Sequence, residues 1–223
     1  MKKYVIALFA FIVSTTMLTG CLTSCLRDYG QTETRTMALP GAYTKLDISH
    51  AFEVEMRADV TEPTITMPEQ LFDKLIFRVG NGTLEIGLRG WNFGNIKELK
   101  VLLPMNAELT SIRESGASNM IVSDLTKVSY IKLSGASTLF ISGLAENLEI
   151  DLSGASDLDA RDLLADCVKG ELSGASDADV TICGELKVEL TGASKLAYGL
   201  VAPTCNPVVN CPCSGASSVI QRH

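Results

Sequence analysis

The chain has 223 residues, a formal net charge of −7 and an isoelectric point near 4.9. This length allows one domain or two small ones. The acidic balance argues against nucleic-acid binding, which needs clustered positive charge to meet the phosphate backbone.

The first twenty residues have the features of an export signal. Lys2 and Lys3 precede an apolar run over residues 4–13, which is too short for a good membrane-spanning helix. The sequence Leu-Thr-Gly-Cys at residues 18–21 closely resembles the lipobox of bacterial lipoproteins. That resemblance implies cleavage before Cys21 and a diacylglyceryl group on its sulfur. An ordinary secretory signal with a chance cysteine is the alternative.

We therefore expect a signal peptide at residues 1–20, a lipidated polar tether at residues 21–36 and a single domain at residues 37–223. Two or three acyl chains hold a protein on a membrane where one does not, because each buried methylene contributes ~0.8 kcal/mol. The expected location is the bacterial outer membrane, and its periplasmic and external sides both remain open.

Residues 37–110 are expected to form an irregular cap with early coils. Alternating or β-branched runs predict strands at residues 43–49, 52–57, 64–67, 75–79, 83–88, 99–103 and 109–112. Gly80-Asn81-Gly82 predicts a hairpin turn, and residues 68–73 predict one helical turn. His50 lies between two of the strands and is expected to be a turn residue.

Residues 111–223 contain a repeat. Ser-Gly-Ala-Ser, with Thr first in one copy, begins at residues 115, 134, 153, 173, 191 and 214. Apolar and polar residues alternate around the copies, which indicates a strand on each side of a bend. A period of about 19 residues is too short for a strand-helix-strand crossover of ~30 residues, and it suits one coil of a solenoid. We predict an all-β, parallel β-solenoid. We expect it to be right-handed, because the six-residue period of apolar residue and glycine that is typical of the left-handed hexapeptide solenoid is missing.

The repeated glycines are expected to form a turn ladder, since equivalent residues of coils about 4.8 Å apart lie above one another. Glycine takes positive φ without steric cost, and a larger side chain would collide with the next coil. The ladder consists of Gly116, Gly135, Gly154, Gly174, Gly192 and Gly215. This favours a structural role for the repeat over a phosphate- or sugar-binding loop. Glu114 takes an inward place that leucine holds in later copies, so either its coil is splayed or the carboxyl is buried with a partner.

The cysteines suggest structure rather than chemistry. Cys183 and Cys205 fall at near-equivalent corners of successive coils, which makes them a candidate disulfide. Cys211 and Cys213 fall on inward positions, where small thiols pack well. No nearby histidine or fourth ligand supports a metal site there, and no cofactor is expected.

One acidic face is the best candidate for chemistry. Its residues are Asp157, Asp159, Arg161, Asp162, Asp177 and Asp179. Asp157 would stack on Asp177 and Asp159 on Asp179, so the four aspartates are weak Ca²⁺ candidates, or carboxylates for glycoside chemistry. The same positions suit an ordinary solvated strand. The chain has two histidines, His50 and His223, which argues against a Ser-His-Asp or histidine-metal site.

Together these features resemble the bacterial family described as "putative auto-transporter adhesin, head GIN domain", whose members are often lipoproteins of Bacteroidetes. The resemblance covers roughly residues 37–220. It rests on the strand-rich first half, the Asn-Gly-Thr-Leu-Glu-Ile hairpin at residues 81–86 and the repeated Ser-Gly-Ala-Ser bends. It implies a pectate-lyase-like β-solenoid, a role in adhesion and no established catalytic residues.

The expected function is therefore a non-enzymatic binding or adhesion module, anchored to the cell envelope, with a glycan or protein ligand. Open end coils invite pairing, so a homo-oligomer is a candidate assembly. A carbohydrate-active enzyme that uses the acidic face, and a periplasmic scaffold with no external ligand, are the alternatives.

Overall fold

The computed structural model describes residues 29–90, 96 and 98–222. The predicted signal peptide, Cys21 and Cys25 lie outside the described residues, as does His223. The described chain is nearly all β and winds into a β-solenoid of about six turns, which confirms the predicted all-β solenoid. Its right-handed sense and its likeness to pectate lyase stay predictions. No helix in the described part is long and apolar enough to cross a membrane.

Sixteen strands join in one sheet over the described residues. In chain order they are β1 (Thr32–Thr36), β2 (Lys45–Ile48), β3 (Glu53–Arg57), β4 (Thr64–Pro68), β5 (Leu75–Gly80), β6 (Thr83–Leu88), β7 (Lys100–Pro104), β8 (Ser111–Gly116), β9 (Asn119–Leu125), β10 (Tyr130–Gly135), β11 (Thr138–Leu152), β12 (Asp157–Leu172), β13 (Asp177–Leu190), β14 (Lys195–Leu200), β15 (Val208–Val209) and β16 (Ser218–Gln221). A 3₁₀ helix, Glu69–Lys74, follows β4 where the sequence predicts a helical turn.

The repeats stack in parallel and in register. Leu133 pairs with Leu152, and Leu152 pairs with Leu172, so equivalent residues of successive copies are neighbours in space. These leucines point inward and are fully buried, because apolar residues at alternate strand positions face the same side. In three coils the second bend lies inside a continuous strand: β11, β12 and β13 run through it with shifts in register, such as that between Ala160 and Leu164.

The first half of the chain is stacked out of chain order. β2 pairs in parallel with both β6 and β8, and β3 pairs in parallel with both β7 and β9. The first coil in sequence is therefore the second coil in space, and the coil of β6 and β7 lies outside it. β5 pairs antiparallel with β6, and β4 pairs antiparallel with β7. These antiparallel strands close the end of the solenoid that the first half occupies.

The hairpin between β5 and β6 turns at Asn81 and Gly82, whose φ angles are 51° and 73°. Positive φ at both central residues is the geometry of a type I′ turn, whose twist matches that of the flanking strands. The turn lies where the sequence predicts it.

The sheet begins earlier than expected. The polar stretch before residue 37 is predicted to be a tether, but Thr32–Thr36 forms β1 and pairs antiparallel with β4. The hydroxyl oxygens of Thr34 and Thr66 lie 2.7 Å apart across this pair. Threonine at every second position of β1 is the signal that could have identified the strand, since β-branched residues favour pleated structure.

Candidate functional site

The Ser-Gly-Ala-Ser corners form a close-packed column. The six glycines of the predicted turn ladder have φ between 74° and 99°. A Cβ built on Gly154 would lie 2.5 Å from the carbonyl oxygen of Gly135 in the next coil, which is too close for any side chain. The N–H of Ala155 donates a 2.7 Å hydrogen bond to that same oxygen. These N–H and C=O groups bond from corner to corner, which favours the structural role expected for the repeat.

His50 belongs to the same column. Its φ is 75°, and its carbonyl oxygen accepts a 2.8 Å hydrogen bond from the N–H of Ala117. The oxygens of Gly116, Gly135, Gly154, Gly174 and Gly192 accept the equivalent bond from the alanine of the next corner. Ser49-His50-Ala51-Phe52 is therefore an early version of the repeated corner, in agreement with the turn predicted for His50. The shared Ser-x-Ala pattern is the signal that could have placed it in the column.

A row of buried serines lies behind the glycines. It consists of the last serine of the first five corners, Ser118, Ser137, Ser156, Ser176 and Ser194. The hydroxyl of Ser137 donates a 2.8 Å hydrogen bond to the carbonyl oxygen of Ser134 in its own corner, and the later serines repeat this bond. These hydroxyls therefore close the corners rather than face a ligand.

Glu114 is buried, and its side chain has a partner. The residue is 2% exposed, and Ser118 Oγ donates a 2.7 Å hydrogen bond to its Oε2. Burial raises the pKa of the Glu114 carboxyl to about 7, and the hydrogen bond from Ser118 opposes that rise. Of the two alternatives for Glu114, the buried carboxyl with a partner is the one in the structure.

On the acidic face, two of the aspartates form ion pairs with arginines. Asp157 pairs in register with Asp177, and Asp159 pairs with Asp179, as the repeat alignment predicts. Arg161 Nε donates a 2.8 Å hydrogen bond to Asp159 Oδ1, and this bond lowers the pKa of the Asp159 carboxyl. In the described part of the chain, no three His, Cys, Asp or Glu side chains are grouped so that they could hold a metal ion.

Arg222 is the residue of this face that the sequence analysis missed. Its Nε lies 2.6 Å from Asp179 Oδ1, and Arg161 Nε lies 3.8 Å from Asp179 Oδ2. Partial burial nevertheless raises the pKa of the Asp179 carboxyl, and burial next to Asp177 raises that of Asp157. The face is an ion-pair network, since Asp159 and Asp179 are both held by guanidinium groups.

A second charged surface lies on the outward side of β11, β12 and β13. We call it the charged groove. It has a volume of about 550 Å³ and is lined by Glu149, Ile150, Asp151, Lys169, Gly170, Glu171, Lys187, Glu189, Asn210 and Pro212. Glu149, Lys169 and Lys187 form one row across successive coils, and Asp151, Glu171 and Glu189 form a second row. The groove is not evident from the sequence alone, because it depends on which outward residues stack on one another.

Two of the charged residues in the groove form ion pairs with residues that do not line it. Lys132 forms an ion pair with Asp151, and Glu185 lies 3.0 Å from Lys169 Nζ. The described residues provide no ion-pair partner for Glu149, Glu171, Lys187 or Glu189. The groove therefore presents free carboxylates and a free ammonium group on a rigid ladder, which can form hydrogen bonds with hydroxyl and amide groups of a ligand.

Of the cysteines in the described residues, two form a disulfide and three do not. Cys183 and Cys205 form a disulfide that joins corners of successive coils across 22 residues of sequence. Cys211 is half-buried and packs against the hydrophobic core, as expected for an inward position, whereas Cys213 is exposed although it was expected to pack inside. The physical reason is that Cys213 lies on the final coil, where no described coil covers the inward positions. Cys167 is half-buried and is not in a disulfide.

Comparison with known proteins gives a consistent assignment. The family model described as "Putative auto-transporter adhesin, head GIN domain" matches residues 42–199. A solved structure of a "putative adhesin" from Bacteroides fragilis is 15% identical, covers 86% of this chain and 97% of its own, and has a TM-score of 0.55. A "putative lipid binding protein" from Parabacteroides distasonis is 17% identical, covers 87% and 98%, and has a TM-score of 0.47. At 15% identity, the likeness to the Bacteroides fragilis structure shows a shared fold alone. Among proteins of curated function, none matches the chain.

Proposed function

Since the chain belongs to the family described as putative auto-transporter adhesins with a head GIN domain, we propose that it is a non-enzymatic binding module of the bacterial cell envelope. This family assignment confirms the resemblance seen in the sequence. The observation that carries the proposal is the charged groove with its free Glu149, Glu171, Lys187 and Glu189.

The ligand that suits this groove is an extended polar polymer, and a glycan chain is the first candidate. The two charged rows run across coils that repeat every ~4.8 Å, so hydrogen-bonding groups recur along the groove. Carboxylates accept hydrogen bonds from hydroxyls, and the Lys187 ammonium donates to hydroxyl or ring oxygens. The parallel ladder holds the rows in place, so little ordering is needed when the ligand binds.

The ion pairs on the acidic face favour a binding function over a catalytic one. Glycoside hydrolysis needs one carboxylic acid and one carboxylate placed on either side of the scissile bond. Asp159 and Asp179 are engaged by Arg161 and Arg222 instead. A carbohydrate-active enzyme remains the alternative, and an activity lost when these aspartates become asparagine would support it.

A glycan array tests the groove. The double variant Lys187→Ala/Glu189→Ala removes one charge of each sign from the groove. Lys127→Ala/Glu108→Ala removes an exposed ion pair elsewhere and serves as the matched control. We expect the groove variant to lose glycan binding and the control variant to keep it. Equal binding by both variants would show that the groove is not the ligand site.

Anchoring through Cys21 is a separate part of the proposal, and it is supported by the lipobox-like sequence at residues 18–21. Cys21→Ala should abolish incorporation of labelled palmitate and release the protein from the membrane fraction. Cys25→Ala, four residues further along, should do neither. Palmitate incorporation in the Cys21→Ala variant would contradict the assignment.

Adhesion further requires that the solenoid faces outward. Protease shaving of intact cells should release peptides from residues 115–217 while a periplasmic control protein stays intact. Protection of these peptides until the cells are lysed would instead indicate a periplasmic scaffold.

A further inference from the structure

The two ends of the solenoid differ in how the core is covered. At the end formed by the first half, the antiparallel strands and the 3₁₀ helix bury Leu71 and Leu84 completely. At the other end, Val209 is 41% exposed although its in-register partner Leu186 is 0% exposed. Cys213 is likewise exposed above the buried Leu190. Within residues 29–90, 96 and 98–222, the inward positions Val209 and Cys213 of the last coil are therefore not covered.

The open end carries almost no charge. Residues 201–221 contain no Asp, Glu, Lys or Arg. The side chain of Arg222 turns back to Asp179 and to the carbonyl oxygen of Val180, away from the end of the solenoid. Charged side chains are a common means by which native proteins protect an exposed strand edge from pairing. A chain of net charge −7 repels its own copies, and this neutral end is a surface where two copies meet with little of that repulsion.

The edge of β16 is complementary to itself. The N–H groups of Ser218 and Arg222 donate to the neighbouring coil, to the carbonyl oxygens of Ser194 and Tyr198. Because backbone groups alternate in direction along a strand, the N–H and C=O of Val219 and Gln221 point to the open edge. Two copies of β16, paired antiparallel about Ile220, place Val219 of each copy opposite Gln221 of the other. Both residues then form backbone hydrogen bonds.

The rest of the end coil restricts where pairing occurs. Pro207 and Pro212 flank the short strand β15, and proline has no N–H to donate to a new strand. The β16 edge has no proline. Ile220 itself is 58% exposed, so it offers apolar surface at the centre of the contact.

We propose that this end of the solenoid is a homodimer interface, in which β16 pairs antiparallel with β16 of a second copy about a two-fold axis through Ile220. The contact is isologous, since the same surface is used by both copies. It continues the sheet from one solenoid into the other and covers Val209 and Val219. The proposal does not depend on what the charged groove binds.

Cross-linking of the full chain in its own membrane tests the interface. In a Cys211→Ser/Cys213→Ser background, Ile220→Cys places one thiol at the proposed axis. Residues directly opposite in a non-hydrogen-bonded antiparallel pair have Cα atoms about 4.5 Å apart, which permits a disulfide. Ile121→Cys is the matched control, because Ile121 is 47% exposed and lies in the same outward row on an interior coil.

With copper-phenanthroline oxidation, we expect Ile220→Cys to give a dimer yield about ten times that of Ile121→Cys, since docking raises the effective concentration of the paired thiols. Adding Val219→Pro should abolish the dimer, because it removes an N–H that points away from the neighbouring coil. Equal yields at the two positions, or no dimer at either, would overturn the proposal. So would a cross-link from Ile220→Cys to a different protein, which would identify another partner for this end.

Discussion

Ser118 Oγ donates a 2.7 Å hydrogen bond to Glu114 Oε2, and Glu114 takes the inward place that Leu133, Leu152 and Leu172 take in the later coils. Glu114 pairs in register with Leu133 on one side and with Ile48 on the other. A carboxyl group thus replaces an aliphatic side chain where the repeats meet the early coils. Ser118 lies in this first corner and bonds to Glu114, whereas the later corner serines bond to their own backbone.

Glu114 should make stability depend on pH. Its folded-state pKa of about 7 exceeds the ordinary value of 4.5, so folding favours the protonated form. Below pH 4.5 the carboxyl is protonated in both the folded and the unfolded state, so it does not lower the free energy of unfolding. As the pH rises the unfolded state ionises first, and the loss in the free energy of unfolding reaches about 3 kcal/mol above about pH 7. Glu114→Gln should therefore raise the free energy of unfolding at pH 8 and change it little at pH 4. Denaturant unfolding at both pH values checks this, with exposed Glu146→Gln as the control. Equal gains at both pH values would contradict a titrating Glu114.

Gly154→Val should prevent folding or destabilise the protein by more than ~3 kcal/mol. The new Cβ would lie 2.5 Å from the Gly135 carbonyl oxygen, and φ at this position is 81°, which a β-branched residue rarely adopts. Asp151→Val should cost no more than about 1 kcal/mol, because Asp151 points outward and loses one exposed ion pair with Lys132. Soluble yield and thermal unfolding compare the two variants. Similar losses in both would refute the close-packed corner column.

Reduction of the disulfide between Cys183 and Cys205 should lower the free energy of unfolding by about 3 kcal/mol, from the chain entropy of a loop of this length. The loop spans 22 residues. Thermal unfolding with and without a reductant measures the effect. The double variant Cys183→Ala/Cys205→Ala should unfold at the lower temperature in both conditions, and a response of this variant to the reductant would point to another disulfide.

Arg222→Ala should loosen β16. Arg222 joins the final coil to Asp179 and also donates a hydrogen bond to Thr181 Oγ1. We expect faster amide hydrogen exchange at Ser218 and Ile220, with the exchange of β11 unchanged, because local opening reflects local contacts. Arg78→Ala removes an exposed ion pair with Glu85 at the other end and should leave β16 protected. Unchanged exchange at β16 in Arg222→Ala would show that Arg222 does not hold the strand.

Much of the fold could be predicted from local patterns in the sequence. A period of about 19 residues with alternation around each Ser-Gly-Ala-Ser predicted the coils, and Asn81-Gly82 predicted the β5–β6 hairpin. These features are readable because a strand alternates inward and outward residues along the chain itself. The lipobox-like sequence at Cys21 remains a prediction from the sequence, since it lies outside the described residues.

The candidate sites depended on contacts between residues far apart in sequence. The charged groove needs Glu149, Lys169 and Lys187 to stack, and the neutralised acidic face needs Arg222 to reach Asp179. The repeat alignment predicted the stacking of Asp159 on Asp179, because both lie inside regular copies. It could not predict Arg222, which follows the last copy.

By itself, the sequence determined the coil, its glycine corner and its inward row, because each follows from steric and hydrophobic rules that act within one repeat. Only the tertiary structure decided that β2 and β3 lie between β6–β7 and β8–β9, that Glu114 is enclosed at that junction, and that Val209 and Cys213 are exposed in the last described coil. The reason is that a parallel coil can stack on either face of its neighbour. Which face it takes is decided by the burial and backbone hydrogen bonds of the whole stack.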